Sequence, residues 1–241
     1  MLRALAAATA VAALWLVTTV LARTHHGVRD ARAARAAEAG VRALEQGTPG
    51  EALRRLREAV ALQPAAAGHR LALGRALVAL NRNDEAVTHL TTLLDRDPVS
   101  GAVNLAIARA YHAAGDAQRA ERAYYRAVYG QWPAGAEQAR VQTRLELIQL
   151  LQESDDTARV RTELMRLAAD FPGDRALQLH VGGSLVALGS PGEAARVFES
   201  VVSRFADPAN AHSGLAVARF QAGDYPAALA AATQALRLDP Q

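Results

Sequence analysis

The chain has 241 residues, of which 51% are hydrophobic and 21% charged, with a formal net charge of +3 and no cysteine. That is enough apolar material for one domain or two small ones, and the missing thiols exclude disulfide frameworks, cysteine zinc sites, iron–sulfur clusters and cysteine nucleophiles. All 27 basic residues are arginine and 57 residues are alanine, so the small positive charge reflects compositional bias more than a nucleic-acid surface, and the wealth of Ala, Leu and Arg predicts an all-α chain.

The first element is apolar. Ala4 to Leu21 is 18 residues without a charge or a proline, and at 1.5 Å per residue a helix of that length spans about 27 Å, enough to cross a bilayer. Residues 1–22 therefore read as a transmembrane anchor, with a cleaved signal peptide ending at Val20-Leu21-Ala22 as the alternative. The length of the run and Trp15 in its interior favour the anchor. Residues 23–32 follow as a basic linker. Arg23, Arg29, Arg32 and Arg35 stand after the segment and only Arg3 before it, which favours a body on the cytoplasmic face of a bacterial inner membrane over a periplasmic one. Residues 1–75 hold eleven arginines against five acids and the remainder sixteen against nineteen, so the membrane-proximal part is the basic one.

From residue 33 the sequence repeats with a period of 34. Residues 33–66, 67–100, 101–134, 141–174, 175–208 and 209–241 align as six repeats, three on each side of an insertion at 135–140. Repeat position 8 reads Gly40, Gly74, Ala108, Ile148, Gly182, Ala216. Position 20 reads Ala52, Ala86, Ala120, Val160, Ala194, Ala228, and position 24 reads Leu56, Leu90, Tyr124, Leu164, Phe198, Ala232. Pro64, Pro98, Pro172 and Pro240 share position 32. With these residues in register, the chain resembles the tetratricopeptide repeat family over residues 33–241. The resemblance implies a right-handed α-solenoid of helix-turn-helix repeats.

Glycine inside a helix costs about 1 kcal/mol relative to Ala, so Gly40, Gly74 and Gly182 mark places where a Cβ would obstruct a neighbour, expected to be the alanines at position 20. Gly47, Gly115, Gly189 and Gly223 fall at position 15, where a helix end needs a left-handed residue. Thr48-Pro-Gly-Glu51 and Ser190-Pro-Gly-Glu193 read as capping boxes, and Asn83, Asp116, Asp156 and Asp224 as N-caps. Repeat 4 departs from the pattern: Ile148 and Val160 are large at both close-contact positions, and the stripe Val141, Leu145, Ile148, Leu151 predicts that its first helix starts early, near Ala136.

No catalytic motif, phosphate loop or metal-ligand spacing is present, so the chain reads as a non-catalytic protein without cofactor or metal. The resemblance places function on a concave groove at repeat positions 2, 5, 6, 9, 12 and 13. Position 5 is Ala37, Leu71, Leu105, Leu145, Leu179 and Ser213, which excludes the family's clamp for a C-terminal carboxylate. The groove candidates are Arg75, Arg109 and His112, suited to an acidic partner segment, followed by Glu146, Gln149, Gln152 and His180. Tyr125, Tyr129 and Trp132 exceed the repeat pattern and fit packing against residues 133–140, with an aromatic partner anchor as the alternative. The expected function is a membrane-tethered protein-interaction scaffold that binds proteins, with no nucleic acid or small-molecule substrate. Alternatives are a cleaved-signal periplasmic repeat protein in envelope or cytochrome c biogenesis, the noncatalytic arm of a split enzyme, and an RNA-binding helical-repeat protein.

Overall fold

A computed structural model describes residues 2–206 and 209–239, with 2–14, 17, 18 and 20–26 described as backbone alone. Among these residues there are twelve helices and no strand: α1 (Leu2–Glu45), α2 (Pro49–Leu62), α3 (Ala67–Ala79), α4 (Asn83–Leu94), α5 (Gly101–Ala113), α6 (Ala117–Val128), α7 (Glu137–Glu153), α8 (Thr157–Asp170), α9 (Arg175–Ala187), α10 (Pro191–Arg204), α11 (Ala209–Gln221) and α12 (Tyr225–Leu238). They divide into two compact units, Met1–Trp132 with α1–α6 and Pro133–Gln241 with α7–α12. Within each unit three helical hairpins stack in chain order, each helix against the next.

Residues 23–32 continue α1 without a break into the first repeat. Arg32 donates to Glu58 (2.7 Å) and Gln63 to Asp30 (2.7 Å), so α2 holds this stretch by polar contacts. Most of the apolar run Ala4–Leu21 lies outside the described side chains. Among the described residues no helix is long and apolar enough to cross a membrane.

The small column at position 8 works against a different neighbour from the one expected. A Cβ on Gly40 or Gly74 would lie 2.5 Å from Leu56 or Leu90, and one on Gly182 would lie 2.6 Å from Phe198. The obstruction comes from position 24, not from the alanines at position 20. Those alanines are buried as well, with Ala52, Ala86, Ala120 and Ala194 fully covered. Gly214 of α11 closes on the Phe198 ring from the next repeat, so one aromatic side chain ties α9, α10 and α11.

Position 15 is left-handed in all six repeats. Gly47, Gly115, Gly189 and Gly223 have φ of +70 to +81°, and Asn81 (57°) and Asp155 (55°) take the same conformation. Asn and Asp are the side chains that tolerate it best after glycine. Asp116, Asp156 and Asp224 cap α6, α8 and α12 as expected, each accepting the backbone N–H three residues on; Asp174 caps α9 in the same way. The two capping boxes do not form. Thr48 turns back to donate to the Ala43 carbonyl (2.9 Å), closing the end of α1, and Glu51 pairs with Arg54 and Arg55. Ser190 likewise makes no side-chain cap. Asn83 lies inside α4, one residue past the cap.

Position 4 proved to be a polar clasp between repeats. Arg70 donates to Pro64 O (2.9 Å), Asn104 to Ser100 O (2.9 Å) and, at 3.4 Å, Pro98 O, and Gln178 to Ala168 O (2.7 Å) and Phe171 O (3.0 Å). Arg70, Gln178 and the longer contact of Asn104 reach carbonyls at the end of the preceding helix, whereas Ser100 O belongs to the cap of α5 itself and also accepts the Asn104 N–H. Arg144, at the same position of repeat 4, is 6% exposed and instead joins Glu163 (3.6 Å) and Asp170 (2.6 Å) of α8. Glu163 is 2% exposed and also accepts from Arg166 (3.0 Å). Repeat 4 thus replaces close helix approach with a buried ion network, and α7 and α8 pair less closely than the two helices of the other repeats. The early start of α7 at Glu137 absorbs most of the insertion into one extra helical turn.

Candidate functional site

The α1, α3 and α5 helices of the first unit supply one wall of a groove. Its cavity has a volume of about 420 Å³ and is lined by Val41, Leu44 and Glu45 of α1, by Ala72, Arg75, Val78 and Ala79 of α3, and by Ala106 and Arg109 of α5. All of these fall on repeat positions 6, 9, 12 and 13. The helical period brings those positions to one face, and stacking three repeats lays the three faces side by side. Ala72 and Ala106 are small, which makes the floor deep, and Val41, Leu44 and Val78 make the walls apolar.

Two guanidiniums occupy this apolar setting. Arg75 keeps solvent contact over the residue as a whole while its guanidinium is partly buried, and Arg109 is half-buried. Burial in the groove, and after it the charge of Arg109, hold the Arg75 guanidinium below its ordinary pKa. It remains a cation, because an arginine does not lose its proton in a protein. Both signs of strain on that charge, lost hydration and a like neighbour, are relieved by an anion. A segment with an apolar side chain next to a carboxylate therefore matches the groove in both respects.

Of the residues expected here, Arg75 and Arg109 come together. His112 lies on α5 half-buried, its ring edge-on to Tyr124 at 6.3 Å, and does not line the cavity. Glu146, Gln149 and Gln152 lie on α7 and His180 on α9, all in the second unit. Gln149 donates to Glu153 (3.2 Å) and Gln142 to Glu146 (3.4 Å), along the same helix. The groove walls Val41, Leu44 and Val78 are the part that attention to charged residues overlooks, although they share positions 9 and 12 with Arg75, Arg109 and His112. Of the surplus aromatics Trp132 packs within the first unit, whereas Tyr129 is 56% exposed. Trp132 covers Gly101 and donates to Ala127 O (2.9 Å), and Tyr125 stacks on Tyr129 at 6.3 Å.

Stacked two-helix hairpins with a groove along their first helices define a helical-repeat protein. A family model described as tetratricopeptide repeat matches residues 37–80, 71–136 and 182–241, well over half of the sequence, and the chain belongs to that family. The unmatched stretch between these spans contains repeat 4 with its buried ion network. Among solved structures, one from work on pilF of Pseudomonas aeruginosa is 15% identical, covers 88% of this chain and 94% of its own, and superposes with a TM-score of 0.56. YrrB, described as a TPR protein with an unusual peptide-binding site, is 16% identical, with coverage of 77% and 93% and a TM-score of 0.51. At such identities the likeness is one of fold. No curated protein matches the sequence significantly. Tetratricopeptide repeat proteins are protein-interaction scaffolds that bind other proteins or peptides.

Proposed function

We propose that this chain is a non-catalytic adaptor, tethered to a bacterial inner membrane by its apolar N-terminal segment, that grips an acidic partner segment in the groove of its first unit. The observation that carries the reading is the pair Arg75 and Arg109 set into an apolar cavity of about 420 Å³. That combination suits a partner segment with a bulky apolar residue beside Asp or Glu. YrrB, which shares the fold, is described by its peptide-binding site, and a peptide in the corresponding role here is consistent with this groove.

The tether rests on the uncharged run Ala4–Leu21. Its continuation through α1 into the first repeat would place the groove close to the bilayer. The arginine-rich flank that follows favours the cytoplasmic side. An alkaline phosphatase fusion after Gln241 should be inactive in that topology. High phosphatase activity would move the body to the periplasm, and a mature N-terminus at Arg23 would replace the anchor with a cleaved signal.

The binding reading is tested by crosslinking and pull-down from membranes, comparing the wild type with an Arg75→Ala, Arg109→Ala variant by mass spectrometry. Acidic segments crosslinked by the wild type and lost from the variant support it. An identical set of crosslinked segments from both proteins would remove the groove from the account.

A further inference from the structure

A carboxylate shares the first-unit cavity with the two guanidiniums. Glu45 is the last residue of α1 and lines the groove together with Arg75 and Arg109. Nothing in the local structure rewards an acid there. The C-terminus of a helix carries partial negative charge, which an acid adds to instead of offsetting. The nearest cation on α1, Arg42, turns back to Glu38 (3.9 Å). Glu45 occupies repeat position 13, and the next two repeats have Ala79 and Ala113 there, so neither α3 nor α5 brings a cation to that level. In repeat 4 the acid at this position, Glu153, accepts from Gln149 (3.2 Å) along its own helix. Glu45 is exposed and, among the described residues, takes part in no hydrogen bond or ion pair. Arg75 is acted on by burial and by Arg109, and by no acid. One cavity thus holds a carboxylate and a guanidinium that leave each other unpaired.

We propose that Glu45 is a specificity-determining residue of this groove, selecting a partner segment that carries a Lys or Arg beside the acid gripped by Arg75 and Arg109. The proposal rests on the reading of the groove as the site for an acidic segment. A segment that is acidic throughout would meet the two arginines favourably and Glu45 unfavourably, whereas one with both charges satisfies both rims. The spacing follows from the stack. α3 lies between α1 and α5, neighbouring helices pack about 10 Å apart, and position 13 lies about 6 Å beyond position 9 along the axis, so Glu45 and Arg75 stand roughly 11 Å apart at the backbone. An extended segment advances about 3.3–3.6 Å per residue, which puts its base about three residues from its acid, in either order. Leu44 and Val78, which share position 12, line the cavity beside these charges and receive the apolar residue in between.

Selection of a random peptide library, displayed on phage, against the full chain in detergent reads the two charges separately. Segments retained by the wild type should be enriched in an acid with a Lys or Arg about three residues away. Glu45→Lys should keep the acid and lose the base, and Arg75→Ala with Arg109→Ala should lose the acid. Acid enrichment without a base in the wild type, or the same base enrichment in Glu45→Lys, overturns the role of Glu45 and leaves the groove reading standing. No acid enrichment in the wild type overturns both. One selected peptide is then synthesised as it stands and with its base changed to Glu. The changed peptide should bind the wild type about three- to tenfold more weakly, through one lost attraction and one added repulsion, and should regain affinity for Glu45→Lys. Lysine at the end of α1 complements the helix dipole, so that variant should keep wild-type helical content. Equal affinity of the two peptides for the wild type contradicts the proposal without recourse to any variant.

Discussion

Small backbone and charge choices at single residues decide how each hairpin turns and closes. Asn81 and Asp155 hold the left-handed conformation that glycine holds in the other four repeats. Replacing each by glycine should therefore stabilise the protein, by up to about 1 kcal/mol per site, because a side chain is strained in that region and glycine is not. Equal or lower melting temperatures would contradict this. Asp116 and Asp156 are held below the ordinary carboxylate range, first by the backbone N–H groups of Arg119 and Arg159 and then by their guanidiniums. A carboxyl whose pKa falls on folding stabilises the protein above its unfolded pKa, and that stabilisation is lost as pH falls through the folded value. Thermal melts should thus weaken below about pH 4, and Asp116→Asn with Asp156→Asn, which keeps a capping side chain, should flatten that acid limb. A limb of unchanged steepness would assign acid sensitivity elsewhere. Gly74→Leu should destabilise by about 1–3 kcal/mol through overpacking against Leu90, whereas Leu at the exposed Ala79 should leave the melt nearly unchanged; equal melts would refute the repeat register.

Among the elements, repeat 4 shows what a 34-residue pattern reveals and what it conceals. Its departure was legible, because Ile148 and Val160 are visibly too large for a close helix crossing, and the apolar stripe from Val141 announced the early start of α7. The substitute was not legible. Arg144 and Glu163 carry no mark of burial in the sequence, which does not show that two ions 19 residues apart on neighbouring helices are both buried. Recurrence of a polar residue at position 4, in Arg70, Asn104, Arg144 and Gln178, was the available signal. The same limit explains the caps. Asp116, Asp156 and Asp224 were found and Asp174 was missed, while Thr48 had a competing acceptor in the Ala43 carbonyl that only the folded turn supplies. Breaking the ion network from one side should be costly: Arg144→Leu leaves Glu163 buried with less compensation and should destabilise by about 3–5 kcal/mol. Removing both charges, as Arg144→Leu with Glu163→Leu, should recover most of that loss. A double variant as unstable as the single one would show that the network contributes more than charge balance.

For the molecule as a whole, repetition made the architecture readable from sequence: one two-helix unit seen six times identifies its own core positions. The proposed groove was legible only in part. Position 9 gave Arg75 and Arg109, but Val41, Leu44 and Val78, which shape the cavity, carry no chemistry that distinguishes them from core residues. On the proposed function, the first unit of this scaffold recognises a segment by charge and apolar bulk together. The most direct test is the affinity of a synthetic peptide, taken from a segment crosslinked to the groove, for the wild type and for the Arg75→Ala, Arg109→Ala variant at low and high salt. Each exposed contact contributes as little as ~0.2–1 kcal/mol, and more where desolvated and bidentate. The variant should therefore bind more weakly with unchanged helical content and melting, and high salt should narrow the difference. Wild-type affinity in the variant at every salt concentration would contradict the account.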